Sequence, residues 1–269
     1  MKIEGSVAIV TGAGSGIGRS LATAFAAAGA SVVAGDVDGP GVSNTVDAIL
    51  ATGGSAVSVV ADVSTTDGVG TLIDAARREF GPVDIYVANA GITGAPGIGD
   101  DEADWDRIID VNVRAHIRAA KALVPDWVER GRGYFVAVAS AAGLLTQLGA
   151  AGYSVTKHAA VGFAEWLAIT YGNNGIGVSC VCPMGVDTPL LSDMVSSADP
   201  ATKLAAAAVR QAGEVMTPDR VAALTVEAVL ADQFLVLPHP IVLDMYRQKG
   251  SDYERWIAGM RRYQSGLEG

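Results

Sequence analysis

The stretch Val7-Ala-Ile-Val-Thr-Gly-Ala-Gly-Ser-Gly-Ile-Gly18 decides the fold, because its glycine cluster joins a short apolar run to a helical pattern. Residues 7–10 predict a buried strand, and residues 17–28 predict a helix closed by Gly29. Glycines permit a tight turn and let a pyrophosphate approach the backbone, while a helix start supplies free N–H groups and the positive end of its dipole. A glycine cluster alone is often only a turn, but this position between strand and helix favours a dinucleotide site.

Beyond this stretch, short apolar runs continue to alternate with longer helical patterns. Further strands are predicted at 31–35, 56–60, 85–88, 134–139, 178–181 and 234–237. This alternation predicts βαβ units and a parallel sheet, and the continuous apolar character of the runs indicates that helices cover both faces of the sheet. No linker or shift in composition marks a second domain.

The second half of the chain contains four longer segments. Residues 102–130 predict one long helix, and residues 150–171 predict another. Residues 188–214 are rich in Ser, Ala and Asp and predict a mobile, lid-like excursion. The tail at 240–269 carries aromatic, Ile and Met side chains between 246 and 264, and their spacing predicts one amphipathic helix that seeks a partner surface.

Asp36 stands at the end of the second predicted strand, eighteen residues after Gly18. An acid at this position can bind both hydroxyls of an adenosine ribose and would repel a 2′-phosphate. No arginine lies within two residues of Asp36 to receive such a phosphate. The pattern therefore favours NAD over NADP, with an ordinary turn aspartate as the alternative.

Composition and charge argue against several functional classes. The formal net charge of -10 disfavours nucleic-acid binding, because a phosphate backbone requires a basic surface. The first residues lack the apolar run of a signal peptide, and no apolar stretch reaches the roughly 18 residues of a membrane span. We therefore expect a cytoplasmic protein without nucleic-acid or membrane partners.

Cys180 and Cys182 are the two cysteines of the chain, and both lie on or next to a predicted strand. Because side chains alternate along a strand, we expect the two thiols to point to opposite faces, buried and free. No Cys/His cluster has the spacing of zinc ligands, so no metal site is predicted.

The segment Tyr153-Ser-Val-Thr-Lys157 contains residue types that can transfer a proton, and Ser140 precedes it by thirteen residues. Positions i and i+4 share a helix face, so the ammonium can lie beside the phenol. A free tyrosine titrates near pH ~10, and a positive charge ~4 Å away is worth about 4 kcal/mol at an effective dielectric of about 20. Lys157 is therefore predicted to lower the pKa of Tyr153.

Further segments stand in a recognisable order along the chain. They are Asp62-Val63, Asn89-Ala-Gly91, Asn112, Ser140 with Tyr153-x-x-x-Lys157, and Pro183-Met-Gly-Val-Asp-Thr188. With the glycine motif, they resemble the short-chain dehydrogenase/reductase family over about residues 5–240. The resemblance implies a doubly wound (Rossmann-type) α/β fold, in which a parallel sheet of about seven strands carries helices on both faces within a single domain, 1–269. The sequence departs from the family pattern at Met184, where the family usually has Gly.

The resemblance also implies a role for each matching residue. Ser140 would orient the substrate oxygen, Tyr153 would be the general acid/base, and Lys157 would bind the nicotinamide ribose. Asn112 would hold a water that links Lys157 to solvent. The residues that would bind NAD are Gly12, Ser15, Gly16, Ile17, Gly18, Asp36, Asp62, Val63, Asn89, Ala90, Gly91, Tyr153, Lys157, Pro183, Val186 and Thr188.

The substrate pocket is expected outside the carboxyl ends of the strands. The candidate liners are mostly apolar, with no arginine to clamp a carboxylate or phosphate: Ile92, Thr93, Ser140, Ala141, Ala142, Leu144, Gln147, Tyr153, Met184, Gly185 and Leu190. A hydrophobic or aromatic secondary alcohol or ketone is the expected substrate. By resemblance, the chain would form a homotetramer through the helices at 102–130 and 150–171, with the tail adding a contact or closing a neighbour's pocket.

Two other functions stay open from the sequence. The same fold can carry an NAD-sensing regulatory or scaffold protein, although such a protein could lose Ser140, Tyr153 or Lys157 freely. An acyl-chain ketoreductase would favour NADPH and would need a basic patch to dock an acidic carrier. The sequence shows neither a signal for NADPH nor such a patch. His116, His158 and His239 receive no role.

Overall fold

Seven parallel strands form the sheet in this computed structural model, which describes residues 1–99 and 101–268. They are β1 (Val7–Thr11), β2 (Ser31–Asp36), β3 (Ser55–Val60), β4 (Ile85–Ala88), β5 (Gly133–Val138), β6 (Ile176–Val181) and β7 (Leu235–Val236). Across the sheet the order is β3-β2-β1-β4-β5-β6-β7, and Ile9 of β1 pairs with Val33 on one side and Tyr86 on the other. The predicted doubly wound parallel sheet is confirmed, although β7 has only two residues.

The helices within the described residues flank or follow these strands. They are α1 (Gly16–Ala27), α2 (Gly39–Ala51), α3 (Thr66–Glu79), α4 (Glu102–Ile109), α5 (Ala115–Arg130), α6 (Ala142–Leu145), α7 (Ala151–Tyr171), α8 (Pro189–Ser196), α9 (Pro200–Gln211), α10 (Pro218–Leu230), α11 (Ile241–Ser251) and α12 (Tyr253–Glu268). Across the part of the chain that the structure describes, none of them is both long and apolar enough to cross a membrane.

Two hydrophobic cores lie on opposite faces of the sheet, because successive side chains of a strand point to opposite sides. In β1, Ile9 joins the core that α3, α5 and α7 cover. Its neighbours Ala8 and Val10 join the core that α1, α2 and α10 cover. Burial on both faces explains why the strands appear in the sequence as continuous apolar runs.

The helix predicted over 102–130 is interrupted in the middle. A π-helical turn (Asp110–Arg114) separates α4 from α5, and the N–H of Ala115 bonds to the carbonyl of Asp110, five residues earlier. Such turns occur often at functional sites. Apolar periodicity continues through them, so the sequence pattern predicted a single helix.

The tail also differs from its prediction, because it forms two helices rather than one. Asp252 is extended and separates α11 from α12. Its carboxylate accepts the N–H of Arg255 at 2.9 Å, which caps the start of α12. The excursion at 188–214 contains α8 and α9.

The prediction that Cys180 and Cys182 face opposite sides was wrong. Residues two apart on a strand share a face, and the two Sγ atoms lie 3.8 Å apart in the same core. Both are buried free thiols, as expected.

Candidate active site

A cavity of about 900 Å³ opens at the carboxyl ends of β1 and β4, where the strand order reverses. Open α/β sheets bind their ligands at such switch points. The residues predicted to contact cofactor or substrate line this cavity, with the exception of Leu144. Asn112, which is predicted to hold a water, is buried behind the cavity. Motifs scattered between residues 12 and 190 therefore meet at one site.

The glycine loop after β1 is folded too tightly to accept side chains. Gly12 and Gly16 have φ angles of 66° and 50°, in the left-handed region that glycine tolerates. A Cβ on Gly18 would lie 1.9 Å from the carbonyl oxygen of Gly12. The bare backbone therefore borders the cavity, which suits the close approach of a pyrophosphate.

No side chain caps the start of α1, whereas side chains cap the starts of six other helices in the described part of the chain. Side chains cap α2, α3, α4, α8, α9 and α10, as when Asp38 accepts the N–H of Gly41 before α2. Ser15 makes no such bond before α1, and the first turn of α1 contains no acid. Its N–H groups and positive dipole end are thus left for an anion in the cavity, and the residues present fit a dinucleotide.

Asp36 is fixed at the end of β2 by two backbone N–H groups. Gly14 donates to Oδ2 at 2.7 Å, and Asp38 donates to Oδ1 at 3.0 Å. Each carboxylate oxygen keeps a lone pair for a further donor. The nearby guanidinium of Arg19 is hydrogen-bonded to the Gly14 carbonyl and to Thr45. This arrangement fits a carboxylate that receives two ribose hydroxyls.

Thr11 and Asn89 fasten the ends of β1 and β4 together. The Thr11 hydroxyl accepts the N–H of Asn89 at 2.9 Å and donates to the Val87 carbonyl at 3.1 Å. The Asn89 amide donates to the Thr11 carbonyl at 2.8 Å. This cross-link shapes the cavity floor, which is continued by Asp62, Val63, Ala90 and Gly91.

Ser140, Tyr153 and Lys157 meet along the inner wall of the cavity. Ser140 follows β5, and its Oγ accepts the N–H of Ala142 at 3.1 Å. Tyr153 and Lys157 lie one turn apart on α7, with Lys157 Nζ 5.5 Å from the centre of the Tyr153 ring. Lys157 also donates to the Val138 carbonyl at 3.1 Å, so the sheet fixes the ammonium.

Burial controls the ionisation of this group. It raises the pKa of Tyr153, and the hydrogen bond with Ser140 lowers that pKa by a smaller amount. Burial also lowers the pKa of Lys157 to about 8. Desolvation of the phenolate thus outweighs the favourable contacts in this structure, and the contribution of Lys157 to the Tyr153 pKa stays a prediction.

Asn112 lies in the π-helical turn, and its side chain is fully engaged by the protein. Its Oδ1 accepts the N–H of Ile92 at 2.9 Å, and its Nδ2 donates to the Ile92 carbonyl at 2.9 Å and to Thr156 at 3.1 Å. The side-chain amide thus joins the turn to α7 and to the loop after β4. Any water on the Lys157 side would have to bind the main chain of Asn112, and that role stays a prediction.

The segment after β6 is positioned by a histidine that sequence reasoning left without a role. His239 Nδ1 accepts the N–H of Met184 at 3.2 Å, and its Nε2 lies 3.1 Å from the Glu214 carbonyl. Burial lowers the pKa of His239, which favours the neutral ring that this pair of bonds requires. Met184, at the position where the family usually has Gly, lines the cavity with Pro183, Gly185, Val186 and Thr188.

Two predictions about the pocket lining were wrong. Leu144 is buried in the core, and its neighbour Leu145 lines the cavity instead. Arg107 of α4 also lines the cavity, although no arginine was expected there. The helical pattern placed Arg107 on a surface, but only the path of the loop after β4 brings that surface to the cavity.

The tail contributes to this same cavity, which the sequence did not predict. The side chains that reach it are Met245, Trp256, Met260 and Tyr263. One expectation was that the tail closes the pocket of a neighbouring subunit. In this structure it lines the pocket of its own chain. The apolar spacing of the tail indicated a partner surface, yet it did not identify which surface.

Comparison with known proteins identifies the family. The profile described as short chain dehydrogenase matches residues 6–199. This chain belongs to the short-chain dehydrogenase family. Membership confirms the prediction of an oxidoreductase that acts on CH–OH groups.

Three relatives show how far the similarity extends. The 1-deoxy-11-beta-hydroxypentalenate dehydrogenase of Streptomyces exfoliatus is 36% identical over 200 residues, 73% of either chain. The cis-4-hydroxycyclohexanecarboxylate dehydrogenase of Sinomonas cyclohexanicum is 37% identical over 219 residues, 80% of this chain and 86% of that one. A short chain dehydrogenase/reductase from Burkholderia phymatum, solved in complex with NAD, superposes with a TM-score of 0.85 at 31% identity, covering 94% of this chain and 96% of that chain. The predicted NAD cofactor agrees with the NAD in that structure.

Proposed function

We propose that this enzyme interconverts a secondary alcohol and a ketone on an apolar small molecule, with NAD(H) as cofactor and Tyr153 as general acid/base. One observation carries the proposal. The cavity that begins at the glycine loop and Asp36 continues without a break to Ser140, Tyr153 and Lys157. A cofactor site and a proton-transfer group therefore share one space.

The chemistry follows from the positions of these residues. When bound, NAD supplies or accepts the hydride. Ser140 donates a hydrogen bond to the substrate oxygen, where negative charge develops. The Tyr153 hydroxyl gives its proton to that oxygen during reduction and takes it back during oxidation. Lys157, fixed by the Val138 carbonyl, places a positive charge beside the phenol and a donor beside the cofactor ribose.

Asp36 supports the choice of NAD over NADP. Its carboxylate is oriented by Gly14 and Asp38 at the end of β2, where an adenosine ribose is bound in this fold. A 2′-phosphate at this position would meet like charge, which disfavours NADP. The same argument disfavours the alternative of an NADPH-dependent acyl-chain ketoreductase.

The wall of the pocket supports an alicyclic or aromatic substrate. Most of its side chains are apolar, and they include Leu145, Met184, Leu190 and Met194. The two relatives from Streptomyces and Sinomonas are named for hydroxylated substrates, one of them a hydroxycyclohexanecarboxylate. Arg107 adds a cation to this wall, which suits a carboxylate carried by the substrate.

The test compares the wild type with Tyr153→Phe, following NADH absorbance with cyclohexanol and cyclohexanone. Loss of turnover is expected in Tyr153→Phe, with NAD binding by calorimetry retained. Tyr171→Phe, at the far end of α7, is the matched control and should keep full activity. A normal kcat in Tyr153→Phe would overturn the mechanism. NAD binding without turnover of any alcohol by the wild type would favour the NAD-sensing alternative.

We also propose the homotetramer that the family resemblance implies. On the outer side of α7, Trp166 is 52% exposed and Ile169 is 82% exposed. These side chains lie next to each other in the helical repeat and offer an apolar surface that a symmetry mate would cover. Light scattering that finds only monomer would exclude this assembly.

A further inference from the structure

The helices α11 and α12 close the outer side of the cavity in their own chain; we call this pair the C-terminal cap. Four of its side chains, Met245, Trp256, Met260 and Tyr263, line the cavity. They stand across from α9, whose Ala205, Ala208 and Val209 line the same space. The outer wall of the pocket is therefore made by two segments that lie far apart in sequence.

The cap is tied directly to α9. The hydroxyl of Tyr263 donates to the Ala208 carbonyl at 3.0 Å. In turn, α9 is tied to the loop before α7, because the Gln147 amide donates to the Ala205 carbonyl at 3.3 Å. A continuous line of contacts thus runs from the cap through α9 to the segment that holds Ser140 and Tyr153.

Lys249 anchors the other end of the cap. Its side chain is buried, and Nζ donates to the Leu144 carbonyl at 2.7 Å in α6, the helix that follows Ser140. His158 Nδ1 bonds to the Ser154 carbonyl at 2.8 Å, which leaves Nε2 as an acceptor 3.5 Å from Lys249 Nζ. The ammonium also lies 5.6 Å from the centre of the Tyr253 ring.

This anchor is specific rather than incidental. Burying an ammonium is costly unless hydrogen bonds and charge-stabilising contacts replace its water. Lys249 has three such contacts, and they come from α6, α7 and α12. The cap therefore has one favoured position, and that position places Trp256 and Met260 at the cavity.

On the basis of the proposed alcohol–ketone activity, we propose that the C-terminal cap is the specificity-determining wall of the substrate pocket. It binds the apolar ring skeleton of the substrate on the side away from Ser140 and Tyr153. Trp256, Met260, Met245 and Tyr263 supply the contacts, and Lys249 is the positioning residue that keeps them there.

The chemistry of the wall defines the class of substrate. Aromatic rings give large, rigid apolar contact, and methionine adapts to irregular shapes. None of the four side chains carries a charge. The skeleton that they fit is an uncharged ring system larger than a single small ring, because the cap forms a second wall beyond the reacting carbon.

The first experiment compares kcat/KM for borneol, a bicyclic alcohol, with kcat/KM for cyclohexanol. The ratio should fall about tenfold in Trp256→Ala, a change typical of lost apolar contact in a specificity pocket. The matched control is Ile257→Ala on the same helix, where the side chain is 48% exposed and does not line the cavity. A ratio in Trp256→Ala that stays within twofold of wild type, or rises, would overturn the proposal.

A second measurement does not depend on turnover. The dissociation constant of the uncharged dye N-phenyl-1-naphthylamine, measured with saturating NAD, should rise about tenfold in Trp256→Ala and stay unchanged in Ile257→Ala. Equal dye binding in the three proteins would count against the cap as a wall. If the wild type turns over neither alcohol, the proposed function fails, while this dye measurement still decides the role of the cap.

Lys249→Met tests the anchor. Backbone hydrogen exchange should accelerate in α6 and in α11–α12, and KM for borneol should rise about tenfold while kcat for cyclohexanol stays within twofold of wild type. Lys249→Arg should restore part of the borneol affinity, because it keeps a buried donor. An unchanged KM for borneol in Lys249→Met would contradict a positioning role, whatever the change in stability.

Discussion

Replacing Lys157 by Met is expected to stabilise the fold while it abolishes turnover. Lys157 is 5% exposed, and burial lowers its pKa from 10.5 to about 8. At ~1.36 kcal/mol for each pKa unit, this fall corresponds to about 3 kcal/mol of unfavourable free energy while the ammonium is charged. Removing the donor leaves the Val138 carbonyl without that bond, which costs about 1–3 kcal/mol. The net gain in unfolding free energy is therefore at most about 2 kcal/mol near neutral pH.

The pH dependence separates this effect from ordinary changes in packing. Below about pH 8, Lys157 is protonated in both folded and unfolded chains, so the penalty is fully present. Between about pH 8 and the unfolded value of 10.5, the unfolded chain binds more protons, so the stability of the wild type rises with pH. Lys157→Met lacks this rise, so from pH 7 to about pH 10 the difference in stability should move by about 2–3 kcal/mol in favour of the wild type, and the advantage of Lys157→Met should be lost or reversed.

Urea unfolding of both proteins at matched concentration, in steps between pH 7 and pH 10, measures the difference. Lys121→Met, which replaces an exposed lysine on α5, is the control and should differ from the wild type by an amount independent of pH. A stability difference between Lys157→Met and wild type that stays constant over this range would refute the argument from burial.

Two further substitutions test the cofactor site. Asp36→Arg should shift the preference in kcat/KM from NAD towards NADP by at least about tenfold. The reason is that a cation, which binds the 2′-phosphate, replaces a carboxylate that repels it. An unchanged ratio of the two kcat/KM values would show that Asp36 does not bind the ribose. Gly18→Ala should weaken NAD binding in calorimetry and cost about 1–3 kcal/mol in urea unfolding, since its Cβ would lie 1.9 Å from the Gly12 carbonyl oxygen. In the control Gly70→Ala, the new Cβ lies in open space on α3, so the free energy of unfolding should rise by about 0.5–1 kcal/mol. Equal changes in stability at the two glycines would contradict a tightly folded glycine loop.

The strands and the dinucleotide loop were predictable because their signals are local. An apolar run buried on both faces, a glycine cluster and a following helix lie within one short stretch, 7–18. The π-helical turn at Asp110–Arg114 was not predictable in the same way. It changes hydrogen-bond partners by one residue without altering the apolar pattern, so its presence depends on what Asn112 contacts in the folded chain.

The residues that sequence reasoning missed act through distant partners. His239 supports Met184 across 55 positions, and Lys249 reaches Leu144 across 105 positions. Neither residue belongs to a motif, and each occupies a segment whose local pattern suggests only a turn or a helix. Their roles depend on contacts between residues that are distant in sequence, and the hydrophobic periodicity of one sequence does not reveal such contacts.

The ionisation of Tyr153 shows why a correct residue assignment does not fix the sign of an electrostatic effect. Spacing identified a phenol and an ammonium on one helix face, and a charge on Lys157 alone would favour the phenolate. In the folded chain, burial raises the pKa of Tyr153 while it lowers that of Lys157. The phenol therefore keeps its proton at neutral pH, which suits donation to a carbonyl oxygen. We expect ketone reduction to be favoured near neutral pH and alcohol oxidation to gain as the pH rises, because oxidation needs the phenolate.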